Sequence, residues 1–397
     1  MILLVHAETL MMLEKLVFGY FGFATLIGWN HILTALEGSK VLAGDAYSEW
    51  VVPTYTIAIN VALFLNIFIG SKVSDSIKVY VGVILASISL ALIPIFAVTL
   101  EKSLASPLCL AAAFLYGLGA SGLQGTVQGL GAKVDGGAAL QYLSLGYALS
   151  GLFGYPLFLA IGTDARAHVP FLLATAAGLT LAAIPVYFFV IAGRRSLTVE
   201  GSGKDVQRSL STVHSESETK QKHDNLIIEA AKDATQEGVI LLSTLKKLSL
   251  HVFSLWFACF LTCVVFPDEI KRWGSNVAIT VYAYQIADFL GRLVIGYLPV
   301  PSIRVLSIAS ACRIVFLPLC VAARHALSHD AIRYTIIACL AVSLGLIMTW
   351  SFILAPGVLK DDREKVLGGY IMTFAMVLGI AAGSLAGKVF ATATSSL

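Results

Sequence analysis

Stretches of about twenty mostly apolar residues recur along the whole chain, and they constrain its fold more than any other feature. A helix needs roughly 20 such residues to cross the hydrocarbon core of a bilayer. Of the 397 residues, 57% are hydrophobic and 13% are charged, whereas a soluble domain averages about 25% charged residues. The sequence therefore predicts an all-α integral membrane protein that crosses the bilayer many times.

The apolar runs predict about eleven transmembrane helices. They cover residues 14–34, 51–71, 78–99, 106–131, 139–161, 168–192, 248–266, 277–297, 303–322, 332–355 and 366–391. A polar break separates the first six from the last five, and its low apolar content cannot build a core. The predicted domains are an N-terminal bundle at 1–193, a cytoplasmic linker loop at 194–247 and a C-terminal bundle at 248–397.

Basic residues in the short loops predict the orientation, because cytoplasmic loops carry an excess of Lys and Arg. With the N-terminus inside, the cytoplasmic loops hold Lys72, Lys78, Lys133, Arg194, Arg195, Lys246, Lys247, Arg304, Lys360, Arg363 and Lys365. The opposite side then holds Lys40, Lys102, Arg166, Lys271, Arg272, Arg324 and Arg333. The excess predicts a cytoplasmic N-terminus and linker and an extracytoplasmic C-terminus.

Several classes of function are disfavoured by the same composition. A net charge of +3 is too small and too scattered for a nucleic-acid surface. No phosphate-binding loop of the Gly-x-x-x-x-Gly-Lys-Ser/Thr type is present. Neither a metal nor another cofactor is expected. The cysteines fall in apolar runs without metal-site spacing, and we interpret them as buried thiols: Cys109, Cys259, Cys263, Cys312, Cys320 and Cys339.

Ionisable side chains inside a membrane are costly and usually face a cavity or a partner. In the eighth predicted helix, Asp288 and Arg292 are spaced so that they share one helix face, and Gln285 lies one turn earlier on it. One interpretation is an ion pair that only neutralises itself, which is weak evidence of stabilisation. The interpretation we favour is a water-filled pathway, in which the carboxylate accepts hydrogen bonds from hydroxyls and the guanidinium donates to oxygens.

Other polar side chains also lie deep in predicted helices. Gln124 and Gln128 make the fourth helix more polar than packing requires. Trp29 lies well inside the first helix beside Asn30, which favours a site wall over the interfacial anchor that tryptophan commonly forms. A lone histidine such as His31 is more often a hydrogen-bonded wall residue than a titrating group.

Two further features suggest structural or gating roles. Arg313 is a deep charge that either snorkels to an interface or locks the ninth helix against a neighbour, and we favour the lock. Pro267 ends the seventh helix after Phe266, and prolines free backbone carbonyls and allow bends.

Short motifs on successive helices are similar to those of a known family. They are Thr25-Leu26-Ile27-Gly28-Trp29-Asn30, Leu123-Gln124-Gly125, Phe266-Pro267, Asp288-Phe289-Leu290-Gly291-Arg292, Arg313-Ile314-Val315-Phe316-Leu317-Pro318-Leu319, and Gly368-Gly369-Tyr370-Ile371-Met372 with Gly379. Each is weak alone. Together, in this order, they resemble the equilibrative nucleoside transporter family over essentially the whole chain, although many relatives carry asparagine at the position of Gln285.

The resemblance implies a fold like the major facilitator class, with a 6+5 arrangement of helices and a site between the bundles near the midplane. It implies a facilitative carrier of nucleosides or nucleobases, with purines such as adenosine, inosine and hypoxanthine as expected substrates. The lipid bilayer, of the plasma membrane, is the other expected partner. The predicted substrate-binding residues are Trp29, Asn30, Leu33, Gln124, Gln285, Asp288 and Arg292. The predicted structural or gating residues are Phe266, Pro267, Arg313 and Pro318.

Alternatives remain at this point. Transport driven by the substrate gradient is favoured over proton coupling. Another small polar solute carried by the same architecture is a second alternative, since a fold hosts many functions. An intramembrane enzyme is disfavoured, because it needs a catalytic constellation within the helices and Asp288 is the only aspartate clearly inside one.

Overall fold

The structure is a computed structural model that describes residues 2–70, 72–134, 137–192, 217–266, 273, 277–325 and 329–394. Side chains are described from residue 12 onward, apart from those of 69, 190–192, 217–236, 277–278 and 325. Within these residues the secondary structure is entirely helical.

The N-terminal half consists of helices that pack mainly on one another. They are α1 (Ile2–Thr34), α2 (Leu36–Ala43), α3 (Asp45–Ile69), α4 (Asp75–Thr99), α5 (Lys102–Val134), α6 (Ala138–Ile161), α7 (Ala165–Leu181) and α8 (Ala183–Val186), which continues as a π-helical turn, Tyr187–Ala192. The short α2 was not predicted and lies in the loop after the first membrane helix.

The C-terminal half forms a second group. Its helices are α9 (Ser217–Val265), α10 (Val277–Leu293), α11 (Ile303–Cys312), α12 (Phe316–His325), α13 (Asp330–Leu354) and α14 (Asp362–Ala393). A 3-10 turn follows α10 at Val294–Tyr297, another joins α11 to α12 at Arg313–Val315, and a third follows α13 at Ala355–Val358.

The predicted membrane helices agree with this architecture. Within the described residues, ten helical segments are long and apolar enough to cross a membrane. The eighth predicted helix corresponds to α10, which has 17 residues before its 3-10 turn. Part of the stretch predicted as a linker is helical, because α9 begins at Ser217 and runs without a break into the seventh predicted helix.

Prolines explain two interruptions. A proline has no backbone N–H and therefore leaves the carbonyl four residues earlier without its helical partner. Pro185 lies where α7 gives way to α8 and the π-helical turn. Pro318 follows the 3-10 turn at Arg313–Val315 that divides the ninth predicted helix into α11 and α12.

Polar caps and glycines define several helix ends. The Asp164 carboxylate accepts from the backbone N–H of Arg166 at 3.0 Å at the start of α7, and Asp361 accepts from that of Glu364 at 2.7 Å at the start of α14. Such caps satisfy N–H groups that the first turn leaves unpaired. Gly44 ends α2 with a φ of 97°, a conformation that other residues rarely adopt.

The two halves meet along two seams. In one, α14 packs against α3 and α5; in the other, α10 and α13 pack against α6. Glycine makes the first seam close, because a Cβ added to Gly369 would lie 2.7 Å from the Cα of Gly129. Small residues at such crossings let backbones approach where lipid supplies no hydrophobic drive for helix association.

Candidate functional site

Asp288 and Arg292 form an ion pair on α10, on the helix face that their spacing predicts. The Arg292 Nε donates to Oδ2 of Asp288 at 3.0 Å, and Nη2 lies 2.9 Å from the same oxygen. The two residues are only 7% and 5% exposed. In this conformation the charges are therefore packed among protein groups, and the water-filled pathway expected from the sequence is not open to them.

The pair also reaches the other half of the protein. Nη1 of Arg292 donates to the backbone carbonyl of Ser144 at 3.2 Å and to its Oγ at 2.8 Å. Ser144 belongs to α6, and its hydroxyl also lies 2.7 Å from that of Thr349 on α13. The Asp288–Arg292 pair thus contributes to the α6–α10 seam.

Gln285, on the same face of α10 as the ion pair, also lies at the seam with α6. A Cβ added to Gly151 of α6 would lie 3.3 Å from the amide carbon and nitrogen of Gln285, so this side chain rests against α6. Farther along, the rings of Tyr155 and Tyr282 are 4.8 Å apart. The polar face of α10 therefore packs against α6 of the N-terminal half from Tyr282 to Arg292.

Gln124 is the most unusual polar group on the N-terminal side. It is 1% exposed, and among the described residues neither its amide oxygen nor its amide nitrogen makes a hydrogen bond of normal distance and angle, although the hydroxyl of Tyr147 lies close to it. Gln128, one turn later, accepts from the hydroxyl of Tyr147 at 3.3 Å. Buried amides left without partners are costly and need an explanation. A ligand with a donor and an acceptor on one edge would satisfy Gln124.

Tyr147 links this amide to the ion pair. Its ring is 2% exposed, and its hydroxyl lies close to Gln124 and within electrostatic range of Arg292. The predicted residues of the two halves therefore converge around one tyrosine of α6.

Trp29 belongs to a stack of three aromatic rings. Its indole lies 4.1 Å from the ring of Tyr55 at an interplanar angle of 12°, and Tyr55 lies 5.3 Å from Tyr116 at 20°. The rings come from α1, α3 and α5, so the indole faces the interior of the N-terminal half. Interfacial tryptophans stand at the headgroups instead, which disfavours the anchor interpretation.

The neighbours of Trp29 on α1 differ in their surroundings. The Asn30 amide donates to the hydroxyl of Ser150 on α6 at 2.7 Å. Leu33 is 37% exposed and makes no polar contact with the site. His31 is fully buried, and its Nδ1 donates to the carbonyl of Leu172 at 2.7 Å, as expected for a hydrogen-bonded wall residue.

Arg313 is hydrogen-bonded within the C-terminal half. It is 3% exposed, and it donates to the carbonyl of Ala258 at 2.7 Å, to the hydroxyl of Thr262 at 2.6 Å and to the carbonyl of Leu340 at 3.0 Å. These acceptors lie on α9 and α13. The geometry agrees with the structural lock and not with a snorkelling side chain.

The other predicted gating residues make fewer described contacts than Arg313 does. The ring of Phe266 stacks on Tyr284 at 4.6 Å. Pro318 lies just after the 3-10 turn. Pro267 lies outside the described residues.

Lys78 lies at the centre of a contact that the sequence did not predict. From the sequence, Lys78 was counted only among the basic residues of the cytoplasmic loops. Its ammonium group donates to the carbonyl of Gly70 at 3.0 Å and to the hydroxyl of Tyr370 at 2.8 Å, and it pairs with Asp75 at 2.9 Å. The hydroxyl of Tyr370 also lies 3.1 Å from that of Thr126. Lys78 is 7% exposed and Tyr370 is 2% exposed, so the contact joins α4 and α5 to α14 out of water.

The family of the protein follows from a comparison of sequences. A family model described as "Nucleoside transporter" matches residues 162–392, which is more than half of the chain. The chain belongs to the equilibrative nucleoside transporter family. No curated protein matches the sequence.

A solved structure gives the fold of this nucleoside transporter family member. The chain is similar to the major facilitator superfamily proton:xylose symporter XylE bound to 6-bromo-6-deoxy-D-glucose, with a TM-score of 0.63 and 10% sequence identity. The match covers 95% of this chain and 87% of the symporter chain. As its family shows, the protein is thus an integral multi-pass membrane transporter, and its fold is similar to that of the major facilitator class.

The contact of Lys78 with Tyr370 joins the two halves of the protein. We expect Tyr370→Phe to weaken the Lys78 contact, because hydrogen bonds to charged groups contribute about 1.5–3 kcal/mol each. The N-terminal and C-terminal halves should then separate more often near the Lys78–Tyr370 contact. Spin labels at the exposed Lys72 and Lys360 should report a longer and broader distance distribution.

A matched control is Tyr80→Phe, because Tyr80 is also on α4 but packs against Tyr187 within the N-terminal half. This control should leave the distances unchanged. Identical distributions for Tyr370→Phe and the unmodified protein would show that the contact does not hold the two halves together.

Proposed function

We propose that this protein is a facilitative carrier of nucleosides or nucleobases, with purines such as adenosine, inosine and hypoxanthine as substrates. The observation that carries the proposal, beside the family, is the pairing of two unlike polar groups across the halves. Within the described residues the amide of Gln124 makes no hydrogen bond of normal geometry, and it lies beside Tyr147, which is within electrostatic range of Arg292 in the Asp288–Arg292 pair.

The chemistry of these groups suits the two parts of a nucleoside. An amide offers both a donor and an acceptor to the edge of a heterocycle. A carboxylate accepts from hydroxyl groups, and a guanidinium donates to oxygens. Trp29, with one face against Tyr55, would offer its other face to the flat base.

We infer that transport proceeds by alternating access. The halves would rock about the substrate, so that the seam of α14 with α3 and α5 opens when the opposite end closes. We further propose that the N-terminus is cytoplasmic, that the C-terminus is outside, and that the protein resides in the plasma membrane. Impermeant labelling of cysteines placed near either terminus would test the orientation.

Uptake of labelled adenosine into proteoliposomes tests the function directly. A facilitative carrier should equalise the concentrations of adenosine on the two sides, leave it chemically unchanged and respond little to an imposed pH gradient. Purine nucleosides and bases should compete, whereas hexoses should not. Accumulation driven by a proton gradient would replace this proposal with proton coupling, and competition by sugars alone would refute it.

Gln124→Ala should reduce affinity unevenly across a panel of bases, because each base presents a different edge to the amide. Two neutral hydrogen bonds contribute about 1–3 kcal/mol together, so the best-matched purine should lose the most. Dissociation constants for inosine, adenosine and uridine on the purified protein would measure this.

Gln128→Ala is the matched control on the same helix, since the Gln128 oxygen is already engaged by Tyr147. Its effect should be the same for every base. A uniform loss for Gln124→Ala as well would assign Gln124 to helix packing.

A further inference from the structure

The hydrogen-bonding capacity of Arg292 is fully used in this conformation. A guanidinium has five N–H donors. Those of Arg292 have five contacts: Asp288 Oδ2, Asp288 Oδ1, the Ser144 carbonyl, Ser144 Oγ and Met348 Sδ. A sugar oxygen can therefore accept a hydrogen bond from Arg292 only after one of these acceptors leaves.

The acceptors are not equally able to leave. The bonds to Asp288 join opposite charges, are the stronger kind and stay within α10. Those to Ser144 go to neutral oxygens on the other half of the protein. The hydroxyl of Ser144 has a second partner, Thr349, at 2.7 Å, so it remains hydrogen-bonded when Arg292 turns away.

Ser144 is also placed where a ligand would reach the Asp288–Arg292 pair. Tyr147, one turn later on α6, lies beside Gln124 and within electrostatic range of Arg292. Because Tyr147 and Ser144 both belong to α6, we place a ligand that extends from Gln124 past Tyr147 on the α6 side of Arg292, where Nη1 bonds Ser144. Met348 lies on α13 in the same half as Arg292.

We propose that Ser144 is a specificity-determining residue, whose hydroxyl competes with the oxygens of a ribose-bearing ligand for Nη1 of Arg292. The inference rests on the proposed function and adds to it a residue that sets the preference between nucleosides and free bases. When a sugar oxygen replaces Ser144, a contact between α6 and α10 is removed, so sugar recognition weakens one seam between the halves.

Ser144→Ala tests the competition. The dissociation constants of adenosine and of adenine are measured on purified, monodisperse protein, and their ratio is compared with that of the unmodified protein. A change in the fraction of binding-competent protein affects both ligands equally, so it cancels in the ratio. Because a hydrogen bond to a charged group is released but the Ser144 carbonyl still competes, we expect the ratio to shift about three- to tenfold toward adenosine.

Two further variants sharpen the experiment. Ser144→Cys keeps the size of the side chain but offers only a weak acceptor, so it should shift the ratio in the same direction even where the alanine variant folds poorly. Ser89→Ala is the matched control, since Ser89 is a buried serine whose hydroxyl, among the described residues, bonds the carbonyl of Leu85 on its own helix and no other group. It should leave both constants unchanged.

The outcomes separate this inference from the proposed function. An unchanged ratio in both Ser144 variants, or a shift toward adenine, would overturn the competition. A shift caused by Met348→Leu but not by Ser144→Ala would overturn it in favour of Met348. If the unmodified protein binds neither adenosine nor adenine, the proposed function itself fails.

Discussion

Uptake of ribonucleosides is expected to fall close to background when either Asp288 or Arg292 is replaced by alanine. Each side chain is nearly buried and is the charged partner of the other. Removing one partner of a buried pair leaves an uncompensated charge, which costs about 3–5 kcal/mol. It also removes a hydrogen-bonding group that we assign to the sugar. Initial rates of adenosine uptake in proteoliposomes, corrected for the amount of inserted protein, would measure the loss.

The conservative variant separates charge from geometry. Arg292→Lys keeps the positive charge but lacks the planar fork that reaches both Asp288 and Ser144. We therefore expect it to restore little transport. Arg304→Ala is the control, because Arg304 is an exposed arginine at the start of α11, and it should transport normally.

A different result is expected if the Asp288–Arg292 pair only holds helices together. If the pair contacts ribose, mutation should reduce the affinity for adenosine more than that for adenine, and a deoxynucleoside that lacks the relevant hydroxyl should lose less than adenosine does. Binding to detergent-solubilised variants distinguishes the two roles without the need for transport. Equal losses for all ligands would mean that the pair holds helices together and does not recognise the sugar.

The second large effect is expected at Trp29, where alanine should raise the half-saturation constant of adenosine uptake by about one to two orders of magnitude. Stacking of a base on an aromatic ring contributes about 1–3 kcal/mol. Tyr55 covers one face of the indole at 4.1 Å, so we assign the opposite face to the base. Trp29→Phe should have a milder effect, because it keeps an aromatic face.

Trp50→Ala is the matched control, since Trp50 is 59% exposed near the start of α3 and has the position of an interfacial anchor. It should change the amount of inserted protein at most. Normal half-saturation constants in Trp29→Ala would assign Trp29 to the aromatic stack alone and move the base-binding surface elsewhere.

Much of the architecture was predictable, for a local reason. A bilayer requires long apolar helices, so hydropathy alone locates most of them. The pairing of Asp288 with Arg292 was predictable for a similar reason, because residues four apart share a helix face. The breaks were harder to predict. Pro318 follows one and Pro185 lies at another, but whether a proline bends, divides or merely ends a helix depends on the neighbours that satisfy the freed carbonyls.

The candidate site was only partly predictable, because its surroundings are distant in sequence. Lys78 contacts Tyr370 across 292 positions, and Arg292 contacts Ser144 across 148. In the sequence, Tyr55 and Tyr116 are indistinguishable from ordinary core aromatics. Only the packing of the helices shows that they stack in a row with Trp29.

The amino-acid sequence alone determined the membrane class, most helices, the family resemblance and the few charged groups that a bilayer would otherwise exclude. The tertiary structure decided which faces of those helices meet. Lipid is as apolar as the interior of the bundle, so hydropathy does not distinguish an outward face from an inward one. Only the packing of the two halves shows that the N–H donors of Arg292 are all engaged, that Gln124 makes no hydrogen bond of normal geometry within the described part of the chain, and that Lys78 joins the halves.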